Sequence, residues 1–204
     1  MNELAVLQAV RLKGRVRPAD LAATLGEDLA DVTTTVERLT EAGLLADGAT
    51  VRITADGRDR LAALLDEERR GVDRAAIAAA YDDFRSVNAD FKAVVTDWQL
   101  KGGPGGTPNA HDDPEYDAAV LARLDDVHAR VQPIIAAAAT QLPRLNAYST
   151  KLAAALDKAR AGDIAWLTRP LIDSYHTVWF EMHEELISAV GLTREEAARS
   201  GDAQ

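Results

Sequence analysis

Cysteine is absent from the 204-residue chain, which excludes disulfides and zinc sites built on thiolates. No apolar run approaches the length of a membrane span; the stretch from Ile134 to Ala139 is far too short. The N-terminus, Met1-Asn2-Glu3-Leu4, lacks a basic stretch followed by an apolar core, so no secretory signal is expected. These absences predict a soluble cytoplasmic protein. Positive charge is also in deficit: 23 Lys and Arg face 33 Asp and Glu, for a formal net charge of −10. Overall charge therefore gives no support for nucleic-acid binding. The deficit reaches into the first 66 residues, where eight Lys and Arg face eleven Asp and Glu. Any affinity for a polyanion has to come from a local patch. A Gly-rich phosphate loop, His-Glu-x-x-His and Gly-x-Ser-x-Gly are all missing, so the chain is not expected to be an enzyme. His111-Asp112-Asp113 sits in a Gly/Pro-rich stretch, where a charge cluster reads as solvated.

What is present is an ordinary globular balance, 47 % apolar and 27 % charged. Leu4, Leu7 and Val10 repeat at helical spacing over residues 3–12, and Gly14 ends that helix. Arg15-Val16-Arg17 suits one short strand. Pro18 opens a second helix with Leu21, Ala22 and Leu25 on its apolar face, and Gly26 breaks it. Asp28 caps a third helix reaching about Ala42, with the stripe Leu29, Val32, Val36 and Leu39. Leu44-Leu45, the turn Asp47-Gly48 and Val51-Arg52-Ile53-Thr54 read as a hairpin. A helix carrying Leu61, Leu64 and Leu65 follows.

Helix, strand, helix, helix, hairpin, helix is the order of a winged helix-turn-helix. The stretch Leu39-Thr40-Glu41-Ala42-Gly43-Leu44-Leu45, followed by Val51-Arg52-Ile53-Thr54-Ala55-Asp56-Gly57, resembles the MarR-type transcription regulators. The likeness covers about a third of the chain. It implies a DNA-binding domain over residues 1–66 whose third helix reads bases with Thr34, Thr35 and Arg38. Arg11, Lys13, Arg15 and Arg17, with Arg52 on the wing strand, are the candidate phosphate contacts. The tip, Ala46 to Thr50, carries no cation, unlike the usual wing of that family. Asp31, Glu37 and Glu41 share the exposed face of the third helix, which suits a solvated surface as well as a reading one.

Residues 67–204 read as an all-helical domain. One long stripe runs Ile77, Tyr81, Phe84, Asn88, Phe91, Val95 and Trp98. Residues 102–114 read as a flexible loop. A helix from Tyr116 to about Leu142 follows, with Pro133 predicting a kink or interruption. A shorter one runs from Leu145 to Arg160, and a last long one from about Pro170 to Val190; the polar tail after Leu192 is expected to fray. Polar residues interrupt the apolar stripes, and three readings of them stay open. In the first they satisfy one another within a core. In the second Trp98, Tyr148, Tyr175, Trp179 and Phe180 line a small-molecule pocket, with Asn88, His128, Asp173 and His176 orienting the ligand. In the third His128, Asp173, His176 and His183 hold a metal, although His176 and His183 lie two turns apart.

The fold expected is therefore mainly α: a small α+β winged helix followed by a helical bundle. The function expected is a homodimeric regulator of double-stranded DNA whose helical domain dimerises and can sense a small effector. The alternative is an acidic winged-helix module that docks on a partner protein. No cofactor, metal or membrane partner is expected.

Overall fold

The computed structural model describes residues 2–199. Helix makes up 74 % and strand 5 %, so the protein is mainly α with two small antiparallel sheets. Among the described residues no helix is long and apolar enough to cross a membrane. The chain divides into two compact units, residues 1–72 and 73–204.

In the first unit, α1 (Glu3–Lys13) starts where the Asn2 side chain accepts from the Leu4 N–H at 3.0 Å. α2 (Pro18–Leu25) begins on its proline and stops at Gly26, whose φ of 68° is left-handed. α3 (Leu29–Glu41) is capped by Asp28, which accepts from the backbone of Ala30 and Asp31. β1 (Leu45–Ala46) and β2 (Arg52–Ile53) pair antiparallel, Leu45 opposite Ile53 and Ala46 opposite Arg52. Val16 adds a third element, exchanging both backbone hydrogen bonds with Val51 at 3.2 and 2.9 Å. α4 (Ala55–Arg70) closes the unit. Leu7, Val10, Leu21, Val32, Leu39, Val51 and Leu61 bring all of these elements into one core.

Gly57 locks the hairpin to α4. A Cβ at this position would lie 2.0 Å from the Leu44 carbonyl oxygen and 2.8 Å from Ile53 Cγ1, so only glycine fits. The Thr54 hydroxyl accepts from the Gly57 N–H and donates to the Leu44 carbonyl, joining helix cap and hairpin. The expected apolar stripe of α3 needs one correction. Val32, Val36 and Leu39 are buried, but Leu29 is 48 % exposed; as the first residue of α3 it lies at the edge of the core.

In the second unit, α5 (Arg74–Gln99) and α6 (Pro114–Gln141) form an antiparallel pair. Contacts between Asp97 and Arg123, Asp90 and Arg130, and Asp73 and Gln141 mark its length. A one-turn 3-10 segment (Pro143–Asn146), α7 (Ala147–Arg160), α8 (Ala165–Thr168), α9 (Tyr175–Val190) and α10 (Arg194–Arg199) follow. α9 packs on α5 and α7 around Phe84, Phe91, Leu152, Tyr175 and Val178.

Four expectations change here. The stretch 102–114 is not a plain flexible loop: β3 (Leu100–Lys101) and β4 (Thr107–Pro108) pair across it. Pro133 does not interrupt α6; it removes one N–H from the helical ladder, while buried Val131, Ile134 and Ile135 hold the helix on both sides. The last long helix starts at Tyr175, not Pro170, because the Ser174 hydroxyl caps it by accepting from the Thr177 N–H. The tail continues into α10, where Thr193 and Glu196 bond each other's backbone in a capping box. Beyond Arg199 the tail lies outside the described residues.

Candidate functional site

α3 offers one solvent face. Ala30, Asp31, Thr34, Glu37, Arg38 and Glu41 are exposed on it, whereas Thr35 is buried and its hydroxyl donates to the Asp31 carbonyl. Thr34 and Arg38 are thus available to a partner and Thr35 is not. Arg38 also acts at a distance on Glu3. The Arg60 guanidinium, hydrogen-bonded to Glu3 at 2.8 Å, holds the Glu3 carboxyl below the usual range, and the Arg38 charge adds to this.

The cations before α2 fall into two groups. Arg17 is committed: its guanidinium grips Asp20 through two bonds, at 2.7 and 2.9 Å, and holds that carboxyl below its ordinary value. Arg11 is half-buried and donates to Gln8, and Lys13 is half-buried in the last turn of α1. Arg15 and Arg52 differ. The Val16–Val51 bridge sets Arg15 across from Arg52, both exposed, while Val16 and Val51 point into the core. Like charges in facing positions on a sheet destabilise it, and an anion between them reverses that sign.

In the second unit the polar residues on the apolar stripes pair with one another. Asn88 accepts from the Trp179 indole N–H at 2.9 Å inside the core. His128 meets the Tyr175 hydroxyl through Nδ1 and Gln132 through Nε2, each at 3.1 Å, and Ser149 donates to Gln132. Burial, reinforced by the Arg160 charge, pushes the His128 imidazole below its ordinary value; burial pushes the Tyr175 phenol up. Phe91 stacks on Trp179 with ring centres 4.2 Å apart. Tyr148 is separate, donating to Glu185, which Arg144 also pairs. Trp98 is separate too, under the His111 ring at the hairpin end. Phe180 faces solvent beneath the Arg194 guanidinium, and His176 is exposed against Phe91.

The proposed metal ligands are not brought together. Asp173 precedes α9 instead of sitting on it, and His183 is buried against Phe84. Among the described residues no group of three or more His, Cys, Asp or Glu side chains is placed to hold an ion.

Two features escaped the sequence reading. Asp20 as the partner of Arg17 was visible in the i, i+3 spacing on α2. The surroundings of His111 were not. Its Nδ1 lies 3.0 Å from Asp117, Asn109 bonds the same carboxylate, and the backbone adopts a φ of 56°. His111 is therefore a packed node rather than part of a solvated charge cluster. No known protein family, curated protein or solved structure matches this chain.

Proposed function

We propose that the protein is a cytoplasmic, DNA-binding transcription regulator with a MarR-like winged helix at its N-terminus, acting as a homodimer. The element order over residues 2–70 supports this reading: in it α2 and α3 would be the helix-turn-helix and β1–β2 the wing. The observation that carries the reading is the exposed Arg15–Arg52 pair held across the Val16–Val51 bridge. Two uncompensated cations side by side at the wing base suit a backbone phosphate. Thr34 and Arg38 are the base-reading candidates on α3. The aromatic and polar groups of the second unit are read as core, because Asn88, Trp179, His128 and Tyr175 use their polar atoms on one another.

A second reading has its own observation. Leu29 is exposed at the start of α3 beside Asp28 and Asp31, which suits a partner protein better than phosphate. One experiment separates the two. Purified protein is titrated against fluorescent DNA from its own upstream region at several salt concentrations, with Arg38→Ala alongside. Specific binding that weakens with salt and is lost in the variant supports the regulator. No binding at low salt refutes it and favours the protein-docking module.

A further inference from the structure

Leu171 carries two unfavourable features at once. Its backbone has a φ of 69°, a conformation disfavoured for a side chain branched as leucine is. The residue is 99 % exposed, on the turn between α8 and α9. An apolar side chain projected fully into water on a strained turn is poorly explained by the fold of one chain. Arg169, two residues earlier, is exposed beside it.

The same unit presents a depression. An open cleft of about 500 Å³ runs between α5 and α6, with Val87, Pro133, Ile134 and Ala137 as its apolar lining and Asp83 and Arg130 among its polar groups. Pro133 has no N–H, so the Ala129 carbonyl in this cleft lacks its usual i+4 donor. The cleft therefore offers apolar lining, an exposed carboxylate and a carbonyl short of one donor. The Leu171 turn offers an apolar knob and a guanidinium. Arg130 is committed to Asp90 at 2.5 Å, which leaves Asp83 as the charge facing an incoming cation.

We infer that the Leu171 turn of one copy seats in the α5–α6 cleft of a second copy, with Arg169 reaching Asp83. A two-fold arrangement makes the contact twice, each copy giving a knob and receiving one. The partner is this chain because both complementary halves, apolar and charged, are present on one unit. The inference supplies the dimer assumed by the regulator reading, yet it is tested without DNA, so either can fail alone.

The test is self-association of the full chain, followed by analytical ultracentrifugation over a range of concentrations. Burying a leucine is worth roughly one to two decades in an equilibrium constant. With two such contacts, Leu171→Asp raises the dimer dissociation constant about 100-fold or more. Leu171 is exposed, so unfolding is not the expected cause, and an unchanged circular dichroism melt verifies this. Asp83→Arg and Arg169→Asp each weaken the dimer, and the double variant recovers it. Because the chain has no cysteine, a mixture of Leu171→Cys and Ala137→Cys proteins cross-links only if those positions meet. A monomer at every concentration, a dimer indifferent to Leu171→Asp, or no mixed cross-link overturns the inference.

Discussion

Replacing Gly57 by alanine separates packing from helix propensity, because the two predict opposite signs. Gly57 lies in the first turn of α4, and propensity alone favours alanine there by up to about 1 kcal/mol. The geometry opposes it. The new Cβ would lie 2.0 Å from the Leu44 carbonyl oxygen and 2.8 Å from Ile53 Cγ1, so the hairpin or the helix start has to move. Overpacking of this kind costs about 1–3 kcal/mol. Moving Leu44 also disturbs the Thr54 hydroxyl that caps α4, for about 1 kcal/mol more. The net is a loss of about 2 kcal/mol, a large fraction of what a unit of this size holds. Hydrogen exchange of the full chain reads it locally: protection of the slowest α1 and α3 amides falls about 30-fold, while α5 and α6 are unchanged. Gly26→Ala is the control, since its φ is 68° but nothing lies within 4 Å of a Cβ there, leaving only the left-handed backbone cost of about 1 kcal/mol. Protection in Gly57→Ala equal to or above that of the parent would refute the close-packing argument.

Asn88→Leu leaves the Trp179 indole N–H without its acceptor in the core, and the denaturant midpoint is expected to fall by the equivalent of about 1–3 kcal/mol at unchanged slope. The neutral imidazole of His128 is favoured by burial and by Arg160, against the opposing charges of Asp125 and Asp157. Unfolding therefore takes up a proton at His128. The stability this contributes is full above the ordinary imidazole value and is lost as pH falls towards the lowered folded value; melts over that range should show a shallower pH slope in His128→Gln. In DNA titrations the double variant Arg15→Ala/Arg52→Ala, which removes the pair that holds one phosphate, should reduce the salt slope by about 0.9. Arg17→Ala should change it less, since Asp20 already holds that charge.

The helices of the first unit could be read because several of their boundaries are set by chemistry local in sequence: Asp28 as a cap, Pro18 as a start, Gly14 and Gly26 as stops. The Asp47-Gly48 turn declared the hairpin in the same way. Which cations are available could not be read so directly. Arg15 and Arg17 look equivalent along the chain, and only the Val16–Val51 bridge and the Asp20 carboxylate distinguish them. In the second unit, periodicity found the apolar stripes but not the pairing of the polar residues on them. Asn88 and Trp179 meet across α5 and α9, and no local pattern encodes a bond spanning 91 positions. The start of α9 was misread for a related reason: Pro170 is a good first helical residue, but Ser174 is the one whose hydroxyl bonds back into the helix.

The acid excess leads to a kinetic expectation that separates the local patch from the whole molecule. A net charge of −10 repels a DNA duplex out to about the Debye length, which shrinks from about 20 Å to about 8 Å between low and physiological salt. On the proposed regulator reading, the Arg15–Arg52 pair meets phosphate at contact. Raising salt therefore does two opposite things. It screens the long-range repulsion, which favours encounter, and it weakens the phosphate contacts by lowering the gain from counterion release. The association rate constant should stay flat or rise modestly with salt, while the dissociation rate constant rises more, so that affinity still falls. Stopped-flow mixing with labelled DNA measures both. An association rate that drops steeply with salt, as it does for proteins steered by a basic field, would mean that attraction extends well beyond contact and that the patch is larger than these two arginines.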